Sequence, residues 1–215
     1  MKEPKRGFFI TFEGIDGSGK TTAAHALATY LLNHGYPVTL TKEPGASQLG
    51  KELRELIGNH HTALDPIATF LLFAADRAQH MQQLVIPALA RGEIVISDRS
   101  ADSSIVYQGY AQGVDITMIQ MINRWVMNHI EPDLTVYLHI DAVVACERRK
   151  QRGKQESFDT QPAAFFEKLI HGYGELFKKR KNVLFLDGTK PIYQINAELV
   201  QSIAPILQSY AKVTA

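Results

Sequence analysis

One stretch constrains this chain more than any other: FEGIDGSGKTT, Phe12–Thr22, directly after the apolar run Phe8-Phe9-Ile10. An apolar run that stops on glycines reads as a buried strand delivering the chain into a tight loop. From Thr21 a helical pattern runs to Asn33 and ends at His34-Gly35, a C-terminal cap. Gly14, Gly17 and Gly19 permit backbone angles and close approaches that a Cβ forbids. Their N–H groups then line a concave anion nest, and the helix adds the positive end of its dipole. The spacing Gly14-x4-Gly19-Lys20-Thr21 is that of a P-loop between a strand and a helix. Gly14, Ile15, Asp16, Gly17, Ser18, Gly19, Lys20, Thr21 and Thr22 are therefore expected to wrap the phosphates of a nucleotide such as ATP. Lys20 is expected at the β- and γ-phosphates and the Thr21 hydroxyl on Mg2+.

The rest of the chain alternates short β-rich runs with longer helical patterns. Strands are expected at Phe8–Glu13, Val38–Thr41, Ile94–Ser97, Leu134–Ile140 and Val183–Leu186. Each is a near-continuous apolar run, as in parallel strands buried on both faces. Helices are expected at 21–33, 49–57, 65–91, 115–130, 141–151, 163–181 and 192–209, with Pro66 in the first turn of the third and Pro87 bending it near its end. The alternation predicts an α/β fold of three layers: a five-stranded parallel sheet flanked by helices, with right-handed crossovers. At 215 residues, with no linker or internal repeat, the chain reads as one domain spanning residues 1–215. The polar stretch Arg152–Pro162 is the least patterned and reads as a mobile loop.

Composition narrows the function classes. A formal charge of +1 gives no global field for nucleic acid. No apolar run is long enough to span a membrane, and the N-terminal segment reads as no signal peptide. With one cysteine, Cys146, no internal disulfide is possible, which fits a reducing, cytoplasmic setting. The eight histidines show no metal-ligand spacing, and His60-His61 reads as solvated loop. A P-loop alone leaves a small-molecule kinase and a nucleotide-driven switch open. The Asn-Lys-x-Asp guanine reader of a GTP switch is absent; the nearest stretch, Gly188-Thr189-Lys190-Pro191, lacks the aspartate.

A second strand end carries chemistry. Asp98 and Arg99 follow Ile94–Ser97, at the carboxyl edge where open α/β sheets bind ligands. Asp98 suits a Mg2+ site, directly or through water, and Arg99 offers a fork for a phosphate. The bland alternative is an ion pair closing a strand.

Five stretches together resemble the thymidylate kinases: Phe12–Thr22, TKEPGASQLGKELREL (Thr41–Leu56), LLFAADRAQH (Leu71–His80), DRSADSSIVYQG (Asp98–Gly109) and EPDLTVYL (Glu131–Leu138). The resemblance implies Mg2+-dependent transfer of the ATP γ-phosphate to dTMP, giving dTDP on the way to dTTP. It implies that Arg54 and Arg99 grip the dTMP phosphate and that Glu43 lies near that phosphate and the magnesium shell. It implies a cis Glu43-Pro44 peptide. Phe73 would stack on thymine and Arg77 would bond the base; their i, i+4 spacing puts both on one helix face. Ser104 and Gln108 would lie near the thymine edge, and Asp16 would meet the sugar 3′-hydroxyl. Tyr107 and Tyr110 would crowd the 2′ position. Taken alone, Phe73 would read as core and Arg77 as a solvated or ion-paired arginine.

The resemblance also implies a lid at about residues 148–161, mobile over ATP, with a cation for the transferring phosphoryl. Five of the seven residues Arg148–Lys154 are basic. Arg149 and Arg152 are the candidates, with Arg148 beside them; a solvated helix end is the bland alternative. Lys154-Gln155-Glu156-Ser157 departs from the acidic-then-arginine order of many bacterial relatives. Relatives are commonly homodimers through helices, and Trp125 with Met118, Met121 and Met127 reads as core or subunit contact. A kinase for another pyrimidine monophosphate such as dUMP, or a switch without turnover, remains the alternative.

Overall fold

The computed structural model describes residues 6–58, 64–152 and 162–214. Five strands form one parallel sheet: β1 (Phe8–Glu13), β2 (Val38–Lys42), β3 (Ile94–Asp98), β4 (Leu134–His139) and β5 (Val183–Asp187), in the order β2-β3-β1-β4-β5. The helices are α1 (Lys20–Asn33), α2 (Gln48–Gly58), α3 (Pro66–His80), α4 (Ile86–Ala90), α5 (Ala101–Ser104), α6 (Ile116–Val126), α7 (Ala142–Arg152), α8 (Ala163–Phe177) and α9 (Ile192–Thr214). The predicted α/β fold with a five-stranded parallel sheet between helical layers is the one observed.

Alternation along β1 builds the layers. Phe8, Ile10 and Phe12 pack with Ile96, Val136 and Leu138 against Leu27 and Leu31 of α1 and Leu199 and Ile203 of α9. Phe9 faces the other way, with Val95, against Met81, Val85 and Leu89. Further along that second face, Tyr137 packs on Phe166, Tyr173 and Phe177 of α8. Thr11 and Glu13 share the face of Phe9, so it turns from apolar to polar toward the carboxyl edge. Thr11 meets Thr135 hydroxyl to hydroxyl at 3.2 Å.

Register decides what meets at that edge. Phe12 pairs with Asp98, and Lys42 pairs with the same residue from the other side. The chain therefore leaves β1, β2 and β3 at one level. The ladder continues one step further: Arg99 N–H donates to Phe12 O and Glu43 N–H to Asp98 O, both at 3.0 Å. From β1 the chain crosses toward β2, and from β4 toward β5, so these neighbours form a topological switch point, the usual ligand crevice of such sheets.

Besides α8, which stops at Phe177, and α9, which runs on to Thr214, three segments differ from expectation. The predicted helix 65–91 is interrupted by a π-helical stretch, Met81–Val85, just before Pro87. Pro87 lacks an N–H and would collide with a carbonyl one turn back; the wider turn accommodates it. Residues 101–111, unassigned from sequence, are helical: α5 runs into a π-helical stretch, Ile105–Ala111. The helix predicted for 115–130 stops at Val126, because Asn128 and His129 turn left-handed (φ 52 and 59) and close the end. Trp125 is not core: it is 75% exposed.

Candidate active site

Gly14 ends β1 at φ 142, where a Cβ would stand 2.6 Å from Leu138 O on the next strand. Only glycine lets the chain turn so close to β4. Gly17 and Gly19 are also left-handed, at φ 90 and 96. Gly19 precedes α1 with no side-chain cap and no acidic residue in the first turn, which leaves the opening N–H groups for an anion. Lys20 is buried and its Nζ donates to Ile15 O at 2.9 Å, curling over the loop. Burial first, then Arg99, pushes the ammonium down to about 8.

Thr21 and Asp98 come from α1 and β3. The Thr21 hydroxyl donates to Asp98 Oδ2 at 2.5 Å, so both reach one point beside the loop. Among the described residues no group of three or more His, Cys, Asp or Glu is arranged to hold a metal ion. One hydroxyl and one carboxylate leave most positions of a cation to phosphate oxygens and water, which suits Mg2+ rather than an all-protein cage.

Arg99 stands at φ 76, left-handed backbone that a side chain disfavours. Its guanidinium donates to Gly14 O (3.2 Å), Ser103 Oγ (3.0 Å), Tyr107 Oη (3.3 Å) and Asp16 Oδ1. Tyr107 in turn donates to Asp16 Oδ2 at 3.1 Å. Burial alone would raise the Asp16 carboxyl, but Arg99 and Lys20 outweigh it and hold it at about 2. The β1 loop and the β3 end are thus joined by an ionised pair. Tyr110, expected beside Tyr107, packs on Gly172 and His171 of α8 instead.

The third strand end, β2, leads into a cis Glu43-Pro44 peptide. Glu43 is buried with both oxygens engaged: Arg77 Nε donates to one at 2.8 Å, and His80 Nδ1 lies 2.9 Å from the other. Burial would raise this carboxyl; Arg77 and His80 lower it on balance. Arg77 is 2% exposed and donates also to Asn123 Oδ1 (2.6 Å), Ser100 O (3.3 Å) and Ser104 Oγ (3.2 Å). Four of its five N–H groups are engaged, leaving one at Nη1. Phe73 sits one turn before it, half-buried, while Phe70 and Ala74 enter the core. Gln108 is buried with Nε2 unpartnered. Arg54 is exposed on α2 and donates to Pro44 O at 3.2 Å. Glu43, Arg77, Ser104 and Gln108 are therefore buried polar groups, and Glu43 reaches Arg77 rather than open solvent.

Arg148, on α7, donates to Gly188 O (2.7 Å), Gly17 O (3.4 Å) and Thr189 O (3.4 Å). It ties the root of the predicted lid to the P-loop. The side chains of Arg149 and Arg152, the rest of the predicted lid at 153–161, and His60-His61 lie outside the described residues.

Sequence reasoning missed Glu13, His80, Ser103, Asn123 and Tyr173. Glu13 is fully buried and accepts from Ser100 N–H (2.9 Å), Ser103 Oγ (2.6 Å) and Tyr173 Oη (2.9 Å). A carboxylate inside the strand run FFITFE is the signal that was available. Burial first, then Asp102, pushes its carboxyl up from the ordinary 4.5 to about 7, against Arg99, Ser103 and Tyr173. A carboxyl raised by folding adds stability in full below its unfolded pKa, and that stability is lost as pH rises toward the folded one. From about pH 4.5 to 7 Glu13 therefore weakens the fold. Thermal denaturation should show the Tm difference between Glu13→Gln and the parent moving in the variant's favour across that window; a constant difference would mean that Glu13 does not titrate there.

The thymidylate kinase family model matches residues 12–199. A thymidylate kinase from Halothermothrix orenii is 37% identical over 201 residues, covering 92% of this chain and 97% of the relative. One from Nitrosomonas eutropha is 36% identical over 200 residues, covering 93% of each. Among solved structures, the crystal structure of thymidylate kinase from Ehrlichia chaffeensis superposes with a TM-score of 0.75 at 32% identity, covering 92% of this chain and 99% of that one. A P-loop after β1, an arginine after β3 paired with the loop's Asp16 and a polar helix face beyond β2 agree with that kinship: the chain belongs to the thymidylate kinase family.

Proposed function

We propose that this chain is a single-domain kinase that transfers the γ-phosphoryl of ATP to dTMP, giving dTDP and ADP. The observation that carries this is the shared level of the three strand ends. It faces the uncapped start of α1 and Lys20 with Arg99 on one side and the Phe73–Arg77 turn of α3 beyond. A triphosphate laid on the loop and a monophosphate gripped by Arg99 and Arg54 then meet end to end.

The acceptor is itself a phosphate, with a second pKa near 6 like other phosphomonoesters. It is mostly dianionic at neutral pH, so no general base is required. The work left to the protein is holding two polyanions in line and offsetting their charge. Lys20 and the loop amides hold the donor, Arg99 and Arg54 the acceptor. Arg149 or Arg152 is the candidate cation for the transferring group in this reading. Asp16, fixed by Arg99 and Tyr107, offers its carboxylate to the sugar. Phe73 supplies the stacking plane; the remaining Arg77 N–H, Ser104 and the unpartnered Gln108 Nε2 supply polar contacts for the base. Thr21 and Asp98 would hold Mg2+, which when bound neutralises charge on the β- and γ-oxygens. A coupled assay of ADP release with dTMP, dUMP, dCMP and dGMP tests the reading. Turnover best with dTMP is expected; ATP binding without acceptor-dependent ADP would overturn it in favour of a switch.

Phe73→Ala should raise the dTMP KM by roughly tenfold, since base stacking on an aromatic ring contributes roughly 1–3 kcal/mol. An unchanged KM would remove Phe73 from the site. The assembly is a homodimer in this reading. Helices α3 and α6 pack together and leave Ile67, Leu71, Met118, Met121 and Trp125 exposed, apolar area that a second copy would cover. Light scattering should give twice the chain mass, and Trp125→Lys should lower it. Among the described residues no helix is long and apolar enough to cross a membrane; a cytoplasmic location is part of this reading.

A further inference from the structure

Glu13 has no place in the transfer outlined above, yet it is a fully buried carboxylate at the centre of the site. Its hydrogen-bond donors among the described residues are Ser100 N–H, the Ser103 hydroxyl and the Tyr173 hydroxyl, none of them a cation. Burying an ion is expensive unless its hydrogen bonds do something the fold needs. Two of them act on Arg99. Ser100 N–H belongs to the peptide that follows Arg99, so one carboxylate oxygen pins the chain where it leaves the left-handed turn at φ 76. The other oxygen takes the single proton of Ser103. The Ser103 lone pairs are then left to Arg99 Nη1, 3.0 Å away. Tyr173, from α8, donates to that same oxygen at 2.9 Å and holds the carboxylate in place. The backbone and the guanidinium of Arg99 are thus set by one buried group that touches no ligand.

We propose that Glu13 is a positioning residue for Arg99: its two carboxylate oxygens clamp the turn after β3 and orient the guanidinium toward the acceptor's phosphate. This rests on the reading of Arg99 as a phosphate-binding residue. Removing the carboxylate would leave Ser100 N–H buried without an acceptor and free the Ser103 proton to turn toward Arg99, where only an acceptor is useful.

The test is steady-state kinetics of the full chain with ATP and dTMP varied independently, for Glu13→Ala, Glu13→Gln, Arg99→Ala and the double variant Glu13→Ala/Arg99→Ala. Glu13→Ala should raise the dTMP KM by roughly tenfold or more while the ATP KM stays within about twofold, because only the acceptor side loses its geometry. Glu13→Gln should recover part of the loss: its carbonyl still accepts from Ser100 N–H, while its NH2 cannot take the Ser103 proton. The double variant should be no worse than Arg99→Ala, as expected of a group that acts only through Arg99. Equal penalties on both nucleotides, or an additive double variant, would overturn the proposal. Where Glu13→Ala does not fold, Ser103→Ala breaks the same link without emptying the core. It should raise the dTMP KM alone, by roughly threefold or more, and add nothing to Arg99→Ala; any other pattern counts against the clamp. Should Arg99→Ala leave the dTMP KM untouched while Glu13→Ala raises it, the phosphate role of Arg99 falls, and the clamp falls with it.

Discussion

Lys20→Ala and Lys20→Met are expected to abolish turnover, by roughly 10³-fold or more, while the protein stays folded. The loss follows from what the ammonium faces. Lys20 sits on the first turn of α1, inside the curl of the loop, with Nζ on Ile15 O. A triphosphate on this loop would draw Nζ from that carbonyl onto phosphate oxygens. Preorganised cations aimed at charge that shifts during phosphoryl transfer contribute factors of this size. The stability side is independent. The fold disfavours the charge on Lys20, chiefly through burial and then through Arg99. Removing a cation that folding works against should cost little, and methionine keeps most of the buried stem. Circular dichroism and a melting curve should therefore place Lys20→Met within a few degrees of the parent while ADP release vanishes. Retained turnover in a folded variant would remove the P-loop assignment. Loss of turnover together with loss of fold would show that Lys20 is a structural residue.

The strands were legible because a parallel strand covered on both faces cannot alternate: FFITF, EIVIS and LTVYL announce themselves by composition. The P-loop was legible because glycine spacing is a local property. What escaped depends on contacts across the sheet. Nothing in DRSADSSIVYQG says that Arg99 turns left-handed or that a π-helical stretch follows. Both segments lie against groups distant in sequence: Phe12 O and Glu13 at the turn, and Gly172 of α8 beside Tyr110. Glu43 shows the same limit. Its place after β2 was readable, but not that both its oxygens go to Arg77 and His80. The resemblance placed it near phosphate and metal; the geometry makes it the group that holds Arg77. His80 closes this set, with Nε2 at 2.7 Å from Thr41 Oγ1, and no one-dimensional pattern separates such a histidine from a solvated one.

Substitutions at Arg99 should separate what its side chain does from what its backbone costs. Arg99→Ala is expected to lower kcat/KM for dTMP by roughly 10²–10⁴-fold, the range for losing a preorganised donor at a reacting phosphate. Arg99→Lys should not recover it. A single ammonium cannot reproduce the planar fork that reaches Gly14 O and Ser103 through one nitrogen, Asp16 and Tyr107 through the other. Asp16 loses the Arg99 guanidinium in both Arg99→Ala and Arg99→Gly, so that penalty is common to these two. The backbone is not. At φ 76 a residue with a Cβ is disfavoured by about 1–2 kcal/mol, while glycine brings about 0.5–1 kcal/mol of extra chain entropy to lose. Arg99→Gly should therefore melt above Arg99→Ala by a few degrees, about 1 kcal/mol in a chain of this size, although both are equally inactive toward dTMP. If the alanine variant were instead the more stable, the left-handed turn would not persist without the guanidinium. The direction of control would then be reversed, with the ion pair to Asp16 holding the turn rather than the turn aiming the arginine.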